Sequence, residues 1–289
     1  METVRIEGVE IALAHPDEFP LEWKGRKELL DQLLAAWLVV EKGDLPLHPR
    51  LVGRPGVGKT TLAYAAAKHT GRPAWVYQAT MDTRPEDLLV TPVVAGEGKI
   101  RYVASGVVTA MLKGGVAILD EGNRMSEKSW ASLAPLLDAR RTVESIVAGV
   151  KIRAHPDFRF VTTMNDDAST FELPDYVNSR LTPTILVDFP DEEEELAILA
   201  ENLPFAPEAL LRWVTRFLKS AHEADESLSV RDGINVARYA LKRLSQQGGG
   251  EPLPRLLEAV RFVLGEEAVV HAPVARDDAP AHPPGPHRV

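Results

Sequence analysis

The chain contains no cysteine, which excludes disulfides, thiol catalysis and zinc–thiolate sites. It also lacks an excess of positive charge. Lys and Arg total 33 against 42 Asp and Glu, a formal net charge of −9, which argues against bulk nucleic-acid binding by charge alone. No apolar run approaches the roughly 18 residues that a membrane-spanning helix needs. The N-terminal stretch METVRIEGVEIALAH carries early acids and no long apolar core, so no signal peptide is expected and the expected location is cytoplasmic. What remains is ordinary for a globular protein. The 289 residues, 45% hydrophobic and 26% charged, suffice for one large domain or two moderate ones.

One segment stands out against that background. Residues 53–60 read GRPGVGKT and fit the phosphate-loop pattern G-x-x-x-x-G-K-[ST] at every fixed position. Glycine is required because the backbone must turn where a Cβ would clash, so that its N–H groups can wrap phosphates. The candidate nucleotide-binding residues are Gly53, Pro55, Gly56, Val57, Gly58, Lys59, Thr60 and Thr61. Lys59 can reach the β- and γ-phosphates, and the Thr60 hydroxyl can sit on Mg²⁺. A short apolar strand precedes the loop. The helix-forming TTLAYAAAKH follows, aiming the positive end of its dipole at the phosphates.

Apolar spacing predicts a helix over residues 25–42, ended by Gly43. Strands are expected at 74–79, 116–119, 158–165 and 184–189, with helices at 84–90, 106–113 and 126–138, the last capped by Ser126. Residues 92–105 and 143–154 read as hairpins. Strand alternating with helix predicts an α/β fold: a parallel sheet with helices on both faces. Beyond Pro190 only helical periodicity appears, in about four segments to residue 269. The expected organisation is a core at 1–190, a smaller all-α domain at 191–270 and a Pro-rich disordered tail at 271–289. The acidic run 191–195 reads as a solvated helix start. His271, His282 and His287 have no metal-ligand spacing.

Four apolar residues, 116–119, run into Asp120-Glu121. A buried strand tipped by carboxylates at the ligand-binding edge of a sheet suits Asp120 as a Mg²⁺ ligand and Glu121 as the base for an attacking water. Taken alone the pair would also suit a surface turn. The strand at 158–165 ends in Asn165, whose amide could orient that water or could simply serve a turn. Arg180, near a helix end before the fifth strand, suits an arginine acting across a subunit boundary or a surface salt bridge.

This ordered set resembles the AAA+ ATPase superfamily of P-loop NTPases. Residues 78–89, 98–112, 120–141 and 229–240 resemble its MoxR-type branch, which includes CbbQ- and GvpN-like proteins. The resemblance spans residues 22 to 270. It implies Walker A at Gly53, Gly58, Lys59 and Thr60, and Walker B at Asp120 and Glu121. It further implies sensor 1 at Asn165, the arginine finger at Arg180 and the sensor 2 arginine of the α-helical lid at Arg231. Arg124 matches an arginine of the branch that is either an inter-subunit contact or a surface charge. Gly122 departs from the branch, which usually has an apolar residue there, and the expectation is a loosened turn after Glu121. The segment around Arg180, YVNSRL, departs from the branch's usual LDRF.

The implied activity is Mg²⁺-dependent ATP hydrolysis in a homo-oligomeric ring, expected to be a hexamer. Its implied use is to remodel or activate a partner protein, often one with a von Willebrand factor A domain, and often for metal-cofactor insertion. The 92–105 hairpin is the candidate partner contact. Adenine as the base rests on the resemblance. Three other readings stay open: a nucleotide-binding regulatory module that does not turn over, a DNA-directed motor or loader, and a small-molecule kinase. Glu121 weighs against the first, the acidic balance against the second and the long helical C-terminal part against the third.

Overall fold

The computed structural model describes residues 2–20, 22–96, 99–166, 172–246 and 248–273. The chain divides into two compact units, Met1–Pro190 and Asp191–Val289. The first opens with β1 (Thr3–Ile6), β2 (Val9–Ala12) and α1 (Lys27–Trp37). Then come β3 (Arg50–Gly53), α2 (Lys59–His69), β4 (Ala74–Gln78) and the short α3 (Pro85–Leu88). β5 (Val90–Val94), β6 (Ile100–Ala104), α4 (Gly106–Lys113), β7 (Val116–Asp120) and α5 (Glu127–Leu133) follow. β8 (Thr142–Ser145), β9 (Val150–Arg153), β10 (Arg159–Asn165), α6 (Asp175–Asn178) and β11 (Thr184–Leu186) complete the unit.

Five strands form the central sheet in the order β11–β3–β10–β7–β4, all neighbours parallel. The expected α/β architecture is present. β7 explains why the sheet needs cover on both sides. Val116 and Ile118 enter one core with Leu33 and Trp37 of α1 and Leu62 and Ala66 of α2. Ala117 and Leu119 enter the other, with Met111 of α4 and Trp130 and Leu133 of α5. An apolar run with no polar alternation is what a strand buried on both faces requires.

The 92–105 hairpin is present as β5 and β6, antiparallel and beginning at Val90. Residues 97–98 of it lie outside the described residues. It is not free-standing: β6 pairs in parallel with β2, making a second sheet of order β1–β2–β6–β5. Three predicted helices end early, the one expected to 90 stopping at Leu88 before Val90 opens β5. The helix expected to 42 stops at Trp37, where Leu38 turns extended. Leu47 N donates to Ala36 O at 2.8 Å and Asp44 accepts from Val40 N at 2.9 Å, so a folded loop consumes the groups a longer helix would use. The helix expected to 138 stops at Leu133, and the chain turns toward β8.

The second unit contains α7 (Glu192–Asn202), α8 (Glu208–Glu223), α9 (Val230–Gln246) and α10 (Pro252–Leu264). Leu210, Val214, Phe217 and Leu218 of α8 meet Val236, Ala237 and Ala240 of α9 in its core. A Cβ on Gly233 would lie 2.7 Å from Leu218 Cδ1, so glycine lets α9 close on α8. Asp191 caps α7: its Oδ1 accepts from Glu194 N at 2.9 Å, and Glu194 Oε2 accepts from Asp191 N at 3.0 Å. The acidic run is not uniformly solvated. Glu195 is 1% exposed, and burial, with Glu192 and Asp191 nearby, pushes its carboxyl up to about 8. His271 ends a 3-10 turn, and the rest of the expected tail, 274–289, lies outside the described residues with His282 and His287. Among the described residues, no helix is long and apolar enough to cross a membrane.

Candidate active site

The register of three adjacent strands assembles the site. β10 lies between β3 and β7, with Asn165 opposite Gly53 and Thr162 opposite Leu119. The carboxyl ends of all three strands therefore share one edge of the sheet, with the 53–60 loop on one side and Asp120-Glu121 on the other.

The loop has the backbone its sequence predicts. Gly56 and Gly58 take φ of +80 and +93, and Gly58 is the N-cap of α2. A Cβ on Gly53 would lie 2.0 Å from Val187 O, so only glycine lets β3 end there. The first N–H groups of α2 have no intrahelical partners and face the loop. Pro55, Val57 and Thr61 lie on this same turn and first helical turn. Lys59 is buried, and its Nζ donates to Gly53 O at 2.9 Å, Arg54 O at 2.8 Å and Asn165 Oδ1 at 2.9 Å. A concave run of N–H groups beside a buried ammonium fits a polyphosphate.

Across the loop, Thr60 Oγ1 donates to Asp120 Oδ1 at 2.6 Å. Thr163 Oγ1 donates to the same oxygen and accepts from Glu121 N at 3.0 Å. Among the described residues, no group of three or more His, Cys, Asp and Glu side chains could hold a metal ion alone. One carboxylate and one hydroxyl beside a phosphate loop is the donor set of Mg²⁺ bound jointly with phosphate oxygens, so the residues fit that ion.

Glu121 sits at φ +55, a left-handed conformation uncommon outside glycine. Its carboxylate is held from two sides: Oε1 accepts from Asn165 Nδ2 at 3.2 Å, and Oε2 pairs with Arg124 Nε at 2.6 Å. Asn165 thus touches both Lys59 and Glu121. Gly122 has a different role from the one expected. A Cβ there would lie 2.3 Å from Thr162 Oγ1 and 2.9 Å from the Trp130 ring. Glycine is present for want of space, and its own φ is not positive.

Two contributors, Thr163 and Asn123, escaped the sequence reading, and Arg124 has a different contact from those expected. Thr163 orients Asp120 and caps Glu121 N. Asn123, buried, donates from Nδ2 to Asn165 O at 2.8 Å. Arg124 faces Glu121 of its own chain. The two threonines closing a fully buried strand, and the Asn-Arg pair after Glu121, were the available signals. Trp23 also lies against the loop: a Cβ on Gly58 would come within 3.1 Å of its ring.

Arg180 is not in this constellation. Arg180 lies past α6, its Nη1 donating to Tyr176 O and its Nη2 3.4 Å from Asp138 Oδ2. Arg231 is the second residue of α9, exposed, in the other unit.

Residues 50–181 match the AAA domain family described as the dynein-related subfamily. The von Willebrand factor A domain-containing protein 8 of Mus musculus is 27% identical over 220 residues, which are 68% of this chain and 11% of that protein. The gas vesicle ATPase GvpN of Ancylobacter aquaticus is 26% identical over 218 residues, 68% of this chain and 60% of that one. The chain thus spans a small part of the first relative and under two thirds of the second. Among solved structures, the RuvB Holliday junction branch migration motor of Thermotoga maritima shares the fold. Its TM-score is 0.56 at 17% identity, covering 82% of this chain and 70% of that one. Residues 50–181 thus carry the match to the dynein-related AAA domain family, and the relatives fit the chain's resemblance to the MoxR-type branch of AAA+ ATPases.

Proposed function

We propose that the chain hydrolyses ATP between subunits of a ring and uses the resulting motion to remodel a partner protein. The observation that carries this is the bonded series Lys59–Asn165–Glu121 beside Thr60–Asp120. Phosphate contact, metal ligand and candidate base meet at the sheet edge where β3, β10 and β7 end.

Lys59 and the 53–60 backbone bind the phosphates and hold the γ-phosphoryl in place. Thr60 and Asp120 would hold Mg²⁺, which when bound neutralises charge on the phosphate oxygens. Glu121 accepts the proton of the attacking water, and Asn165 keeps its carboxylate aimed at the sheet edge. Arg180, bonded away from its own loop, serves a neighbouring subunit's γ-phosphate. Arg231 is the lid residue that senses nucleotide.

Ring assembly is supported by Arg180 bonding to Tyr176 and Asp138 rather than to the Lys59–Glu121 series. A missing arginine finger costs roughly 10³–10⁵ in rate. Partner remodelling is supported more loosely, by likeness to a gas vesicle ATPase and to a protein named for its von Willebrand factor A domain. The exposed Val93, Val94 and Ile100 on β5 and β6 supply an apolar contact surface. The test is the ATPase rate per subunit against protein concentration, with Glu121→Gln and Arg180→Ala alongside. The rate should rise with concentration, Glu121→Gln should bind ATP without turnover, and Arg180→Ala should stall. Strong DNA stimulation without concentration dependence would favour a DNA-directed motor instead.

A further inference from the structure

Asp138, in the turn after α5, holds two arginines at once. Its Oδ1 accepts from Arg140 Nε at 3.0 Å and its Oδ2 from Arg140 Nη2 at 2.7 Å. On that same Oδ2, Arg180 Nη2 lies at 3.4 Å. The contacts are unequal: Arg140 takes a short two-point grip, while Arg180 has one long bond. Hydrogen bonds from Arg140 hold the Asp138 carboxyl down at about 2, so it is ionised at any working pH. Arg180 is otherwise under-bonded. Its Nη1 reaches Tyr176 O, and its buried Nε has no hydrogen-bond partner among the described residues. A guanidinium has five N–H donors, and among the described residues most of these remain unspent.

We propose that Asp138 is a positioning residue that parks Arg180 on its own subunit in a weak, exchangeable contact, with Arg140 competing for the same oxygen to keep it weak. This rests on Arg180 being the arginine delivered to a neighbour's triphosphate. A triphosphate outbids a shared carboxylate for the guanidinium. When Arg180 leaves, Arg140 already neutralises Asp138, so no partly buried charge is abandoned. The second arginine is what makes release cheap.

The two variants carry opposite signs. Asp138→Asn removes the parking contact and should favour engagement with the neighbour. Arg140→Gln leaves Asp138 wholly to Arg180 and should oppose it. In full chains also carrying Glu121→Gln, so that ATP persists, sedimentation velocity gives the subunit concentration for half-maximal assembly. Asp138→Asn should lower it roughly two- to fivefold and Arg140→Gln should raise it by a similar factor, the range expected of a partly exposed ion pair. The double variant should match Asp138→Asn, and neither shift should survive Arg180→Ala. Shifts of the same sign, or shifts that persist in Arg180→Ala, overturn the proposal. Arg140 is 61% exposed, so its replacement should fold normally, and no shift with Arg140→Gln also overturns it. An Arg180→Ala chain that assembles and turns over like the parent overturns the finger assignment itself, a separate result.

Discussion

Gly122→Ala is the sharpest test of how the site is supported. The added Cβ would stand 2.3 Å from Thr162 Oγ1 and 2.9 Å from the Trp130 ring. Neither neighbour can yield easily. The Thr162 hydroxyl donates to Leu119 O at 2.9 Å, and Trp130, fully buried, donates from Nε1 to Gly122 O at 3.0 Å. The backbone at 122 must therefore move, and Glu121 moves with it. Overpacking of this kind costs about 1–3 kcal/mol. For a unit of this size that lowers Tm by roughly 2–4 °C per kcal/mol. Catalysis should suffer more than stability, because a shift of ~1 Å at a reacting group can cost 10²-fold. Thermal unfolding and steady-state ATPase measure the two effects, and nucleotide titration checks that binding persists through the untouched loop. Thr162→Ala, added to Gly122→Ala, removes the closer clash and should recover part of kcat. A Gly122→Ala protein with parental Tm and kcat would refute the steric account.

Glu195→Gln should stabilise the second unit most at alkaline pH. The native carboxyl is raised from 4.5 to about 8. Its neutral form therefore carries a stability contribution that is complete below pH 4.5 and is lost as pH rises through about 8. Tm against pH should fall across that window in the parent and flatten in the variant, and parallel curves would exclude the buried acid as the cause. Thr163→Val leaves Glu121 N without its acceptor and removes a donor from Asp120. It should cost about 1–3 kcal/mol in stability and raise the Mg²⁺ concentration for half-maximal ATPase, with an unchanged Mg²⁺ profile as the contrary result. Asn123→Ala removes a buried donor from Asn165 O and should lower kcat more than it changes ATP affinity. An equal loss in both would point to general unfolding.

Sequence alone determined what depends on neighbouring residues in the chain. The glycine spacing of residues 53–60 specifies a backbone only those residues can take, and the structure has it at Gly56 and Gly58. The unbroken apolar run 116–119 specifies a strand buried on both faces, and helical spacing after Pro190 specifies a helical unit. Contacts across the sheet were not legible in that way. That Asn165 bridges Lys59 and Glu121, that Thr163 holds Asp120, and that Gly122 is small because Thr162 and Trp130 crowd it all follow from the β3–β10–β7 register. Glu195 looked like its acidic neighbours because burial depends on which face of α7 meets the core. Arg124 read as a surface or inter-subunit charge because only the left-handed turn at Glu121 brings it back onto that carboxylate. Local backbone preference is a property of the chain order. The partner each side chain meets is decided by register and packing between segments far apart in sequence.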